Sequence, residues 1–237
     1  MSHSVVIRFA AACLFAAFPA VGGAQSGPAP LAEGSAVAHA APVPAGSIRG
    51  TVTVRLPAPR RSASRYPGAP TQAPSVQPVP AMVYIQGPIA GIPAQVDGNL
   101  AVMAQRDTAF VPAALVVPVG TVLRFPNEDD FFHNVFSYSA AARFDLGRYP
   151  RGESQDVRLT EPGLVKIYCE VHEFMRAAVV VTENTFGAVV DDEGRFLIEG
   201  VPAGRYTVAF WHPDLDPVER SVTVVDGESA RIDVELR

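Results

Sequence analysis

Along most of the chain, apolar and polar residues alternate with a period of two, the repeat of a strand with one buried and one wet face. Ser47 to Leu56 (SIRGTVTVRL) places Ile48, Val52 and Val54 in phase, and Met82 to Gln86 (MVYIQ) is again strand-like. From Leu100 the pattern predicts short strands at Ala101–Gln105, Ala114–Val119, Thr121–Phe125, His133–Ser137, Gln155–Leu159, Leu164–Cys169 and Ala177–Thr182. Turn signals such as Val119-Gly120, Pro126-Asn127 and Glu161-Pro162-Gly163 separate them. After Gly187 come GAVV, RFLIEG, RYTVAFW, VERSVTVVDG and ARIDVEL, with hairpin signals at Asp192-Glu193-Gly194 and Asp226-Gly227. No helical periodicity competes with this pattern. The expected class is all-β, and the density of short strands predicts a β-sandwich.

Two proline-rich stretches interrupt the strands. Residues 25–46, with Pro28, Pro30, Pro42 and Pro44, read as an Ala/Pro-rich linker, and His39 within it has no second ligand nearby. Residues 57–80 carry Arg60, Arg61 and Arg65, and read as a long solvated loop or as a docking patch for an acidic partner. Ahead of the linker, His3 and Arg8 precede the apolar run Phe9–Pro19, and Val21-Gly22-Gly23-Ala24 follow. That is the order of a secretory signal peptide with cleavage after Ala24. The alternatives are an uncleaved anchor, for which the run is short, and lipidation at Cys13, where apolar residues continue past the cut. Export into the periplasm of a bacterium is the expectation.

Composition narrows the function. The 237 residues are 48% hydrophobic, enough for a core, and the 22 prolines and 19 glycines disfavour a long-helix bundle. A net charge of −5 argues against nucleic acid, whose phosphates need a basic face. Of the two cysteines, Cys13 leaves with the signal, so Cys169 stands alone in an oxidising compartment.

The neighbours of Cys169 give it chemistry. Cys169, His172 and Met175 are spaced C-x2-H-x2-M between two predicted strands, and His133 lies 36 residues upstream. Thiolate and thioether sulfur favour Cu(I), imidazole accepts both copper states, and a weak axial thioether tunes the potential. Zinc would accept two imidazoles and a thiolate but has no use for the thioether. Alone, Met175 reads as core filler and His172 as a surface histidine; the conjunction points to one copper cycling between Cu(I) and Cu(II).

YCEVHEFMRAAVVV resembles the copper loop of the cupredoxins, with the short spacing of amicyanin, and FPNEDDFFHNVFS resembles their upstream ligand segment. The resemblance spans roughly residues 100–182 and implies a cupredoxin Greek-key β-sandwich, with His133, Cys169, His172 and Met175 as ligands. It further implies that Asn134 ties the two ligand segments together, that His172 is the electron exit, and that Val171 and Phe174 form an apolar docking patch around it. Phe131, Phe132 and Phe136 either wall the metal from water or serve as plain core. Val171, where such loops often carry proline, and Glu173 depart from the usual pattern without removing a ligand.

GAVVDDEGRFLIEGVPAGRYTVAFWHPDL resembles the carboxypeptidase regulatory-like (transthyretin-like) domain, whose opening G-x-I-x-G-x-V string occurs far upstream at Gly46–Val52. A discontinuous second sandwich of residues 47–99 with 183–237, the cupredoxin of 100–182 inserted within it, is therefore expected; the alternative is a cupredoxin with independent extensions. Trp211 and His212 end a strand here, read as a core tryptophan and a surface histidine. The expected function is electron carriage between transient redox partners (a dehydrogenase, cytochrome or oxidase), not enzymatic catalysis. The alternatives are copper trafficking or buffering, and a carbohydrate- or peptide-binding module in which copper is secondary.

Overall fold

The structure, a computed structural model, describes residues 45–57, 76–93, 95 and 98–237. The signal segment 1–24, the linker up to residue 44 with His39, and Arg60, Arg61 and Arg65 lie outside the described residues. Two strands come first, β1 (Ala45–Val54) and β2 (Met82–Ile85). The central region holds β3 (Leu100–Val102), β4 (Ala104–Arg106), β5 (Ala109–Val111), β6 (Ala114–Pro118), β7 (Val122–Pro126), β8 (His133–Tyr138), β9 (Arg143–Tyr149), β10 (Ser154–Arg158), β11 (Gly163–Tyr168) and β12 (Arg176–Thr182). The last are β13 (Gly187–Val189), β14 (Arg195–Pro202), β15 (Gly204–His212), β16 (Leu215–Val224), β17 (Ser229–Arg231) and β18 (Val234–Leu236). The described residues contain strands and no helix, and the class is all-β sandwich.

The central sandwich sets the sheet β6-β12-β11-β8-β9 against β10-β7-β3, with β4 and β5 as a separate hairpin. Alternation fills the space between the sheets: Leu123 and Phe125 of β7 are fully buried, while Arg124 between them points out and forks onto Asp156 of β10. Met103, Phe110, Val135, Val165 and Ile167 complete that core. In the outer sandwich, β1 pairs with β14, β17 and β18, and β2 lies between β13 and β15. The chain leaves this sandwich after β2 and returns to it at β13, the two strands running antiparallel with Gly187 opposite Tyr84. Gly50 is required where β1 passes from β17 to β18, because a Cβ there would lie 1.7 Å from the Ile232 carbonyl oxygen.

β12 joins the two sandwiches. Its Ala177, Val179 and Val181 face the central core, while Ala178 and Val180 pack against Val79, Met82 and Trp211. With both faces covered, the strand needs a continuous apolar run, which RAAVVVT supplies. Each valine so buried contributes about 1.5–3 kcal/mol.

The structure revises several expected boundaries. Ala101–Gln105 is two strands, split at the buried Met103, where the chain moves from the β7 sheet to the β4–β5 hairpin. β9 was not expected, because only two apolar residues, the partly buried Phe144 and Leu146, alternate in it before Gly147-Arg148. Residues 76–80, expected in the solvated loop, include the buried Val79. His212, expected at the surface, is buried, because its ring bonds inward to Val79 and to the Asp214 amide.

Candidate metal centre

The donors come from two places that strand pairing brings together. His133 opens β8, and the loop 169–175 joins β11 to β12; β8 and β11 are neighbours, with Tyr168 opposite Phe136. Asn134 ties the two segments, its side-chain Oδ1 accepting the Glu170 N–H at 2.6 Å. The loop turns back on itself where the Met175 N–H donates to the His172 carbonyl at 2.9 Å.

His133 Nδ1 lies 3.7 Å from Cys169 Sγ and 3.2 Å from His172 Nδ1. These three residues offer donor atoms that all fall within 4.8 Å of one another. His133, Cys169 and Met175 are buried, whereas His172 is half-buried and forms the solvent side. Met175 is packed in the central core beside Cys169 and Ala177.

The orientation of His133 is set from behind. Its Nε2 lies 2.8 Å from Asp129 Oδ2, and an ionised carboxylate only accepts, so Nε2 carries the proton and Nδ1 presents its lone pair to the centre. Burial raises the Asp129 carboxyl, but donors from Thr108, His133 and Asp107 outweigh it and hold the group below the ordinary carboxylate range. Burial lowers the His172 imidazole, with the neighbouring His133 adding to it and Asp129 opposing. The lowering favours the neutral His172 ring, the form that can ligate. Asp129 was not singled out from the sequence; its signal was an acid four residues before a candidate ligand.

The donor set fits a copper ion. Donors of these kinds stand about 2.0–2.3 Å from a first-row ion, so three around one ion are separated by roughly 3.3–3.8 Å, close to the distances found. The two Nδ1 atoms face each other at 3.2 Å, a separation that either a shared proton or a metal ion between them satisfies. Among the described residues no carboxylate joins the three donors, and the soft sulfur favours copper over harder ions.

Residues 99–182 match the family model of copper binding proteins, plastocyanin/azurin family. Residues 174–237 match the carboxypeptidase regulatory-like domain. None of the curated proteins matches the chain. Among solved structures, a reduced amicyanin variant is 25% identical over 36% of this chain and 85% of its own, with a TM-score of 0.33. A Cu(I) amicyanin variant is 24% identical over 43% of this chain and 97% of its own, also at 0.33. The copper-containing nitrite reductase NirK of Thermus scotoductus SA-01 is 24% identical over 36% of this chain but 23% of its own, at 0.34. The family match and the His–Cys–His cluster support a copper protein.

Around the donors, Phe131 packs on both imidazoles, with centroids 5.0 Å from His133 and 5.2 Å from His172. Phe174 lies 5.7 Å from His172 on another side. Val171 and Phe132 are exposed beside them. Phe136 turns elsewhere, onto Tyr138 and Tyr168.

Proposed function

We propose that the chain is an exported, mononuclear type 1 copper protein that carries single electrons between redox partners. The observation that carries this reading is the convergence of two imidazole Nδ1 atoms and one buried cysteine sulfur, with the His133 Nε2 held by Asp129. Copper, when bound, supplies the one-electron couple. The protein supplies the rest: Asn134 and Asp129 orient the donors, Phe131 and the burial of Cys169 keep water away, and the buried Met175 would offer a thioether to the ion. His172 is the exit for the electron, because it alone of the donors reaches solvent.

The exposed Phe131, Phe132 and Val171, with Phe174, form an apolar patch around that exit, suited to a small transient interface. Arg106, Arg148 and Arg151 near it are paired with Glu128, Glu170 and Asp130, and the exposed Asp107, Glu153 and Glu173 leave the face negative. A redox partner with a basic surface fits it. Trafficking is less well served, since the buried Cys169 and Met175 offer no exposed sulfur for handing the metal on. Trp211, the aromatic on which the carbohydrate-binding alternative rested, is buried.

The test is copper loading of the exported form. We expect an intense thiolate-to-copper colour and reversible one-electron voltammetry, both abolished by Cys169→Ser. A wild-type protein that takes up copper without colour, or that loses its copper to an apo-acceptor while passing no electrons, would overturn the reading.

A further inference from the structure

The C-terminal end of the ligand loop is held from outside the central sandwich. Gln77 lies on the segment that leads into β2, and its peptide groups bond the residues on either side of Met175. The Gln77 N–H donates to the Phe174 carbonyl at 2.9 Å, and the Gln77 carbonyl accepts Nε of Arg176 at 2.9 Å. The Gln77 side chain is itself fixed, its amide donating to the Phe110 carbonyl at 2.6 Å and accepting the Phe110 N–H at 3.0 Å. The side-chain amide thus pairs with both peptide groups of Phe110 in β5.

Arg176 is fixed in turn by the outer sandwich. Both of its terminal nitrogens lie 2.7 Å from the two carboxylate oxygens of Asp214, in the turn between β15 and β16. This planar, two-point fork defines the position of the guanidinium more tightly than a single charge contact would. The Asp214 N–H reaches the buried His212 ring at 3.2 Å, so the turn is anchored to the interface core. The path runs from the outer sandwich through Asp214, Arg176 and Gln77 to the two residues flanking Met175.

We propose that Gln77 and the Arg176–Asp214 fork are positioning residues that make the outer sandwich part of the metal centre, setting how closely the Met175 thioether approaches the metal. This rests on the copper reading above. Asn134 fixes the Cys169 end of the loop from within the central sandwich, and the outer sandwich fixes the Met175 end. Because the axial ligand tunes the potential, a loosened Met175 end shifts the balance towards the reduced metal.

The experiment uses the full chain with Asp214→Asn and Gln77→Ala, with Asp214→Glu as the conservative rescue. Asp233→Asn, which breaks an exposed ion pair with Arg231 instead, is the control. In copper-loaded protein we expect the first two variants to change the ratio of Cu(I) to Cu(II) affinity roughly three- to tenfold, about 28–59 mV for a one-electron couple. The relative intensity of the thiolate bands should alter with it. Asp214→Glu should return most of the way, and the control should not move. In metal-free protein, amide exchange at Gln77 and Met175 should quicken at least tenfold in Asp214→Asn, with the β8 amides unchanged.

Variants that lose thermal stability while keeping the wild-type spectrum, potential and loop exchange would overturn the proposal and leave the fork a plain interface contact. If the wild type itself shows no thiolate colour, the electron-carrier reading falls, and the metal-free exchange result still supports or overturns the clamp.

Discussion

Asp129 takes the Nε2–H of His133 and also accepts the backbone N–H groups of Asp107 at 2.7 Å and Thr108 at 3.0 Å. Those two residues form the β4–β5 turn with φ of 54° and 56°, a left-handed conformation unfavourable for a β-branched threonine. One carboxylate therefore stabilises a strained turn and orients a ligand. We expect Asp129→Ala to weaken copper retention about 10- to 100-fold, read by chelator competition, with Asp129→Asn intermediate because its amide oxygen still accepts. At this scale the sequence identifies candidate donors by type: a cysteine, a histidine and a methionine at C-x2-H-x2-M spacing, and a second histidine 36 residues upstream. It is silent on which ring nitrogen faces the centre, since that depends on a carboxylate whose aim is set by a turn twenty-two residues upstream.

Among the elements, β1 shows how local pattern and long-range closure divide the work. Its alternation is evident from Ile48, Val52 and Val54, but its partners lie near the other end of the chain. Thr51 donates its N–H and hydroxyl to Asp233 Oδ1 at 2.9 and 2.8 Å, which fastens β1 to the segment between β17 and β18. The Arg231 guanidinium, then the Thr51 donors, pull the Asp233 carboxyl down to about 2. A carboxyl lowered on folding adds stability above its unfolded value of about 3.9, and that stability is lost as pH falls through the folded value. Thermal melts from pH 5 to pH 2 should therefore show a steeper acid loss in wild type than in Asp233→Asn. The elements hidden from the sequence share a cause. β9 has one exposed and one only partly buried face, so just Phe144 and Leu146 mark it before Gly147-Arg148, and Met103 sits at a strand break decided by the parallel pairing of β3 with β7.

For the whole molecule, the decisive feature is the third core, in which Trp211 and Met82 of the outer sandwich pack on Ala178 and Val180 of β12. Trp211→Ala should cost about 3–5 kcal/mol and lower the melting temperature of both sandwiches together, as seen by calorimetry. The negative docking face proposed around His172 belongs to this scale too. Oxidation of the reduced copper protein by a cationic cobalt(III) complex should slow as salt rises, and oxidation by ferricyanide should speed up. Equal salt responses would remove the basic-partner reading. The all-β class, the strand-rich patterning and the donor types were determined by the sequence alone, because period-two burial and ligand chemistry are local properties of residues. Which strands are neighbours, which face of His133 is free, and how the outer sandwich reaches the Met175 end of the loop were decided only by the tertiary structure. Those features arise from pairings and ion pairs between residues tens to nearly two hundred positions apart, and such distant pairings leave no periodic trace in the chain.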